Sequence, residues 1–190
     1  MDAFEKPTLV YRNGVHLLGT MVWFDPTRAS EFCAISSAAQ PRLRRHQRAL
    51  WSDRTARLVE SQGGFSLSGL ACPYRHSFNL GPLVFELIPS GYMPGACQYL
   101  LRFPNGYTLL YSGPFSMQDS LTSEPIEFGQ CDTLLLDATY GDPQFQFPAR
   151  STIYTSIKEW ISQELVDGKT PVLLVSNPGK AQDLISLLGA

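Results

Sequence analysis

The chain has 190 residues, of which 44% are hydrophobic and 17% charged, a composition that excludes a disordered chain and is typical of one globular domain. Its formal net charge of −2 excludes a general attraction to nucleic acid or to a membrane surface. The start MDAFEKP has no apolar signal-peptide core, and no apolar run approaches the roughly 20 residues that span a bilayer. These features predict a cytoplasmic protein without a membrane partner.

The N-terminal third is predicted to contain strands and then a helix. Residues 8–24 fit two short strands around an Asn13-Gly14 turn, and Asp25-Pro26 ends the second strand without indicating a chemical role for Asp25. Residues 31–36 are a candidate buried strand. Residues 44–60 resemble a helix in one or two pieces, with Ser52 as a possible N-cap.

A basic cluster accompanies this predicted helix. Its arginines at 42–57 are opposed by few acidic residues, so they form either a solvated helix face or a phosphate-contacting surface. The lone His46 is expected to lie at the surface. The candidate nucleic-acid contacts in this cluster are Arg42, Arg44, Arg45 and Arg48.

The middle of the chain contains a predicted hairpin. Two apolar runs at 97–103 and 107–112 are joined by Pro104-Asn105-Gly106, and Asn-Gly is a strong hairpin signal. Each run adjoins a glycine-containing loop, at 91–95 and 113–115. Loops at strand ends often carry the chemistry of layered α/β proteins.

The last third fits a strand–helix–strand–helix order. Residues 131–137 and 171–175 are apolar enough for buried strands, and an amphipathic helix at 153–165 connects them, with Gly168 as its stop. A second helix is predicted to begin with Asn177 as cap and Pro178 as its first residue. Lys180 lies near this helix N-terminus, which either binds an anion or is simply a capped helix start.

Four segments together resemble a known family. The sequence GYMPGACQ at 91–98, followed by LLYSGPF at 109–115, resembles the β-CASP branch of the metallo-β-lactamase superfamily, where the text reads roughly GHxxGSAQ and then S/T-G-D. DATYGDP at 137–143 resembles the family's E-S-T-Y/F-G-x-P, and GKAQ at 179–182 resembles the G-K/R-A-Q that opens the β-CASP domain. The most similar members are bacterial ligase-associated DNA exonucleases and mRNA 3′-end processing factors.

The resemblance implies an α/β fold, the metallo-β-lactamase-like αββα sandwich. Residues 1–150 would form this domain, and residues 151–190 would begin a β-CASP-like βα unit packed on it. The resemblance implies that the chain corresponds to the first half of a full family member. It is then either a fragment of a longer protein or a short protein that must cover an exposed sheet edge, and an uncovered edge can pair with another chain.

The family's metal ligands are not matched. Its H-x-H-x-D-H motif falls on Ser37, Ala39, Pro41 and Arg42, and its later His and Asp fall on Tyr92 and Pro114. Zinc needs imidazole, thiolate or carboxylate donors, and none of these six side chains provides one. Asp137 occupies the family's acidic position, where it either belongs to a residual site or hydrogen-bonds the following loop. The resemblance therefore predicts a chain without a metal or other cofactor and without catalytic residues at these positions.

Three functions are consistent with these residues. The first is a catalytically inactive relative of the β-CASP exonucleases that retains DNA or RNA binding. The second is an interaction module in a DNA-repair or RNA-processing assembly, binding a protein partner or a second copy through an exposed sheet edge. The third is a hydrolase that uses other residues, although no Ser-His-Asp arrangement with a recognisable context is present.

Overall fold

The structure is a computed structural model, and it describes residues 6–40, 46–62, 68–175 and 178–189. These residues form eleven strands and three helices. The strands are β1 Leu9–Tyr11, β2 Val15–Leu17, β3 Trp23–Phe24, β4 Phe32–Ala34, β5 Arg48–Ser52, β6 Ser68–Cys72, β7 Ser77–Leu80, β8 Leu83–Pro89, β9 Cys97–Arg102, β10 Thr108–Tyr111 and β11 Thr133–Leu135. The helices are α1 Asp53–Ser61, α2 Arg150–Val166 and α3 Lys180–Leu188.

The strands form two sheets. The first has the order β1–β2–β3–β4–β5–β6, and the second has the order β11–β10–β9–β8–β7. Strands β3 to β6 pair in parallel, whereas β7 to β10 pair antiparallel and β11 joins β10 in parallel. The predicted Asn-Gly hairpins are confirmed as β1–β2 and β9–β10.

The main core lies between the two sheets. Alternation along β8 directs Leu83, Phe85 and Leu87 into this core, whereas Glu86 points outward, as predicted, and pairs with Arg102 at 2.9 Å. Tyr99 is fully buried, and its hydroxyl contacts the main-chain oxygens of β5 and of the segment after β4 at 2.7 and 2.8 Å. This hydroxyl therefore ties the second sheet to the first.

Helix α1 covers the outer face of the first sheet. Its Ala56 and Val59 pack on a buried cluster that includes Trp51 of β5. Ser52 is the N-cap, as predicted, since its Oγ accepts a hydrogen bond from the Thr55 amide at 3.0 Å. The helix–sheet–sheet stack agrees with the predicted α/β sandwich. No helix in the described part of the chain is long and apolar enough to cross a membrane.

Two predictions in the first half are wrong. Residues 48–52 form a strand rather than helix, because β5 is the central member of a parallel ladder whose buried side chains face both the core and α1. Tertiary pairing overrides the local helical preference there. His46 is 4% exposed and not a surface residue.

The C-terminal strands also differ from prediction. The run at 131–137 contributes only β11, an edge strand whose Leu134 is 50% exposed. Residues 171–175 form no strand with any described residue, and Leu174 is 96% exposed. An apolar run becomes a buried strand only when neighbours cover it. The predicted helix is confirmed as α2, but α3 begins after Gly179 rather than at Pro178, and Asn177 lies outside the described residues.

Candidate functional site

A cleft lies where strands β3, β10 and β11 end. It consists of two adjoining cavities of about 540 and 410 Å³ that share residues 136–139 and Pro114. Asp25 and Tyr111 line the larger cavity, and Tyr92 lines the smaller. We call this the strand-end cleft. It brings together three of the predicted family ligand positions, Tyr92, Pro114 and Asp137.

Two glycines of the matched motifs are required by close contacts with other segments of the chain. Gly113 has φ +53°, and a Cβ there would lie 2.6 Å from the Ser36 Cβ. Gly95 has φ +83°, and a Cβ there would lie 2.6 Å from the Thr55 amide nitrogen. Both positions need a residue that tolerates positive φ and has no side chain. Backbone conformation and packing therefore explain why glycine stands at these two positions.

Gln98, the other matched scaffold residue, holds a loop in place. Its Nε2 donates to the main-chain oxygens of Pro89 at 3.0 Å and of Glu127 at 2.6 Å. The side chain is 4% exposed, so these bonds satisfy a buried amide. Gln98 thereby fastens residues near 127 to the second sheet.

Asp25 is the most connected polar group of the cleft. Its Oδ1 accepts a hydrogen bond from the Ser36 amide at 2.8 Å, and its Oδ2 accepts from the Ser36 hydroxyl at 2.5 Å and the Tyr111 hydroxyl at 3.0 Å. The residue has φ +43°, a conformation in which Asp and Asn are enriched. One carboxylate therefore joins the ends of β3, β4 and β10.

The surroundings of Asp25 favour its protonated form. Burial raises the pKa of Asp25 from the ordinary 3.8 to about 6, although the hydrogen bonds from Ser36 and Tyr111 act in the opposite direction, and the charge of Asp137 adds a smaller increase. The sequence reasoning gave Asp25 no role. The only signal was an Asp-Pro at a strand end, which does not reveal that Ser36 and Tyr111 converge on it.

The other predicted ligand positions are dispersed. Ser37 is fully buried, and its Oγ has no hydrogen-bond partner among the described residues. Ala39 is half-buried and packs with Tyr92 against the cluster under α1. Neither of them lines the strand-end cleft. Pro41 and Arg42 lie outside the described residues.

Asp137 is exposed and organises its own loop. Its Oδ1 accepts hydrogen bonds from the Thr139 amide at 3.0 Å and the Thr139 hydroxyl at 2.5 Å. Its main-chain amide donates to the Ser112 hydroxyl at 2.9 Å. This geometry matches the loop-holding interpretation of Asp137.

The donor set does not fit the family's metal pair. Tyr92 and Pro114 stand at two ligand positions, and burial raises the pKa of the Tyr92 phenol, which disfavours the phenolate that a metal would need. Within the described ranges no three His, Cys, Asp or Glu side chains converge as a metal site. We derive no metal-dependent step for this chain.

Two of the predicted anion-binding residues, Arg48 and Lys180, lie in the described part of the chain. Arg42, Arg44 and Arg45 lie outside it, and Arg48 is exposed at the start of β5. Lys180 lines a cavity of about 320 Å³ between α2 and α3, which Arg48 does not line. Asp183 of this cavity accepts hydrogen bonds from Ser120, Thr122 and Tyr154. Lys180 and Arg48 therefore do not share a cavity.

Comparison with known proteins shows which proteins the chain resembles in sequence. No family model matches it. Over 179 residues, 94% of its length, the chain is 24% identical to a probable DNA ligase of Opitutus terrae, and it covers 18% of that protein. It is 31% identical over 102 residues, 52% of its length, to the transcription termination factor FttA of a Lokiarchaeum species and covers 16% of it.

A solved structure shares the fold. A protein of unknown function from Enterococcus faecalis V583 superposes with a TM-score of 0.58 at 10% identity, covering 84% of this chain and 44% of that one. The sequence matches confirm the resemblance to the metallo-β-lactamase superfamily. Within it, the proteins that this chain resembles in sequence belong to the β-CASP branch. The chain spans less than a fifth of the length of the two curated relatives described above.

Proposed function

We propose that this chain is a nucleic-acid-binding relative of the β-CASP exonucleases that does not perform their metal-dependent cleavage. Residues 1–150 would provide the metallo-β-lactamase-like domain, and residues 151–190 would begin the β-CASP-like unit. The names of the relatives, a DNA ligase and a transcription termination factor, support a role on DNA or RNA.

One observation carries the proposal of inactivity. The glycine scaffold around the strand-end cleft is intact, yet Tyr92 and Pro114 stand where the family has its His and Asp ligands. Proline has no side-chain donor atom, and a neutral phenol is a weak metal ligand compared with imidazole or carboxylate. A scaffold that persists without its ligands favours binding over cleavage.

The first test combines metal content with nuclease activity. The protein is purified from cells grown with zinc and manganese, analysed for bound metals, and incubated with single- and double-stranded DNA and RNA. We expect neither stoichiometric metal nor cleavage. Binding of about one or two ions per chain, the number in one- and two-metal hydrolytic sites, together with cleavage that a chelator stops, would contradict the proposal.

The second test measures binding. Fluorescence anisotropy with a labelled single strand at several salt concentrations should show an affinity that falls linearly with log salt. Replacing Arg44, Arg45 and Arg48 together by alanine should lower the salt slope by about 2, since each phosphate contact contributes roughly 0.7 for a single strand. Lys169→Ala is the control, because Lys169 is an exposed cation outside the basic cluster and lies 3.2 Å from Glu164. Absence of binding at low salt would reject the nucleic-acid role.

An interaction module is the second candidate, favoured by the open edge of the second sheet. Strand β11 ends this sheet in the described part of the chain, and Leu134 within it and Leu136 just after it are 50% and 54% exposed. The occupant we consider is a second copy that pairs along β11. Light scattering after size exclusion should then give a dimer that Leu134→Lys converts to a monomer, whereas a monomeric wild type would exclude this candidate.

A further inference from the structure

A second pocket, distinct from the strand-end cleft, lies beside the first hairpin. It has a volume of about 420 Å³ and is lined by Arg12, Asn13, Trp23, Arg28 and Glu31 among others. We name it the hairpin pocket. Its volume is in the roughly 300–1,000 Å³ range of small-molecule sites. It shares no lining residue with the two cavities of the cleft.

Two segments form the pocket, and they are fixed against each other. The Thr27 amide donates to the main-chain oxygen of Asn13 at 2.8 Å. Gly14 approaches the following loop so closely that a Cβ would lie 2.7 Å from the Pro26 Cα. The turn between β1 and β2 therefore docks directly on the loop that carries Arg28, which places Arg12 and Arg28 around one cavity.

The two arginines have free donors. Both are exposed, and neither makes an ion pair or side-chain hydrogen bond with any described residue. By contrast, Arg54 and Arg75 are both paired with Glu124. A guanidinium presents a planar fork of donors that matches phosphate oxygens. Two such forks around one cavity form a candidate phosphate site.

The rest of the pocket suits a base and sugar. The Trp23 ring is held by stacking on His16, with centroids 4.2 Å apart and planes 4° apart, so it offers a preorganised aromatic edge. Glu31 is exposed, forms no ion pair with a described residue, and can accept from an exocyclic amino group. Asn13 supplies an amide that both donates and accepts.

We propose that the hairpin pocket binds a nucleoside 5′-monophosphate group that carries an exocyclic amino group, with its phosphate on Arg12 and Arg28. The ligand is either a free nucleotide or the phosphorylated end of a strand. Arg48 at the start of β5 pairs with Phe32, the residue after Glu31, so a longer strand leaving the pocket would meet the basic cluster. This proposal does not require the chain to bind long nucleic acids.

Titration calorimetry on the full chain tests the pocket with cytidine 5′-monophosphate, cytidine and inorganic phosphate. We expect the monophosphate to bind at least about tenfold more tightly than either of the others, because charge-assisted hydrogen bonds and ring contacts both contribute. Equal affinity for monophosphate and cytidine would overturn the phosphate assignment. Equal affinity for monophosphate and inorganic phosphate would overturn the nucleoside assignment.

Variants then locate the binding. Arg12→Gln with Arg28→Gln should weaken monophosphate binding about tenfold or more, and both residues are exposed, so the fold should persist. The control is Lys158→Gln with Lys169→Gln, which makes the same change in net charge at exposed residues outside both the pocket and the basic cluster. An equal loss in both double variants, or no loss in the first, would reject the site. Comparing a 5′-phosphorylated strand with its 5′-hydroxyl form distinguishes a strand end from a free nucleotide.

Discussion

Replacing Gly113 by alanine is expected to lower the free energy of unfolding by about 2–5 kcal/mol. The residue has φ +53°, and the added Cβ would lie 2.6 Å from the Ser36 Cβ and 2.8 Å from its Oγ. A non-glycine residue at positive φ costs roughly 1–2 kcal/mol, and overpacking a filled site typically costs a further 1–3 kcal/mol. Urea denaturation of the two proteins measures the difference.

Gly106→Ala is the matched control for Gly113→Ala. Gly106 also has positive φ, +85°, but a Cβ there would meet no atom within 4 Å. Its substitution should therefore cost only the backbone term of roughly 1–2 kcal/mol. If the two variants are equally stable, the contact between Gly113 and Ser36 does not constrain the strand-end cleft. A larger loss of stability in Gly113→Ala would measure the cost of the contact between the added Cβ and Ser36.

The elements that sequence reasoning predicted well are those with local causes. The Asn-Gly turns and the Ser52 cap each follow from the conformational preferences of one or two residues. The helix predicted at 48–52 is wrong, because these residues pair as a strand with β4 and β6, which are distant in sequence. The buried strand predicted at 171–175 is wrong, because apolar composition does not reveal whether a neighbouring strand or helix covers the run.

The candidate site was only partly predictable for the same reason. Tyr92, Pro114 and Asp137 were found because motifs from separate strands were matched to a family, and the structure brings them together. Asp25 was missed because its partners are Ser36 and Tyr111, which are 11 and 86 positions away. The hairpin pocket was missed because Arg12 and Arg28 become neighbours only when the first turn docks on the loop after β3.

Asp25→Asn is expected to make the protein less sensitive to pH between about 4 and 6. The folded protein holds the Asp25 proton up to a pKa of about 6, whereas the ordinary value is 3.8. Because the folded state binds more protons in this window, the wild type loses stability there as the pH rises. A difference of about 2 pKa units corresponds to about 2–3 kcal/mol. Asparagine tolerates the positive φ and keeps an oxygen for the Ser36 amide.

The measurement is the free energy of unfolding of wild type and Asp25→Asn, each at pH 4 and pH 7. We compare the free energy of unfolding of the variant minus that of the wild type. This difference should be about 2–3 kcal/mol more favourable to the variant at pH 7 than at pH 4, because only the wild type must hold a desolvated charge at neutral pH. Asp119→Asn is the control, since Asp119 is an exposed aspartate whose replacement should change stability little at either pH. A constant difference between Asp25→Asn and wild type at the two pH values would show that the carboxyl of Asp25 ionises alike in the folded and unfolded chain. The hydrogen bonds from Ser36 and Tyr111 would then offset desolvation, and Asp25 would be an ordinary charged bridge between the strand ends.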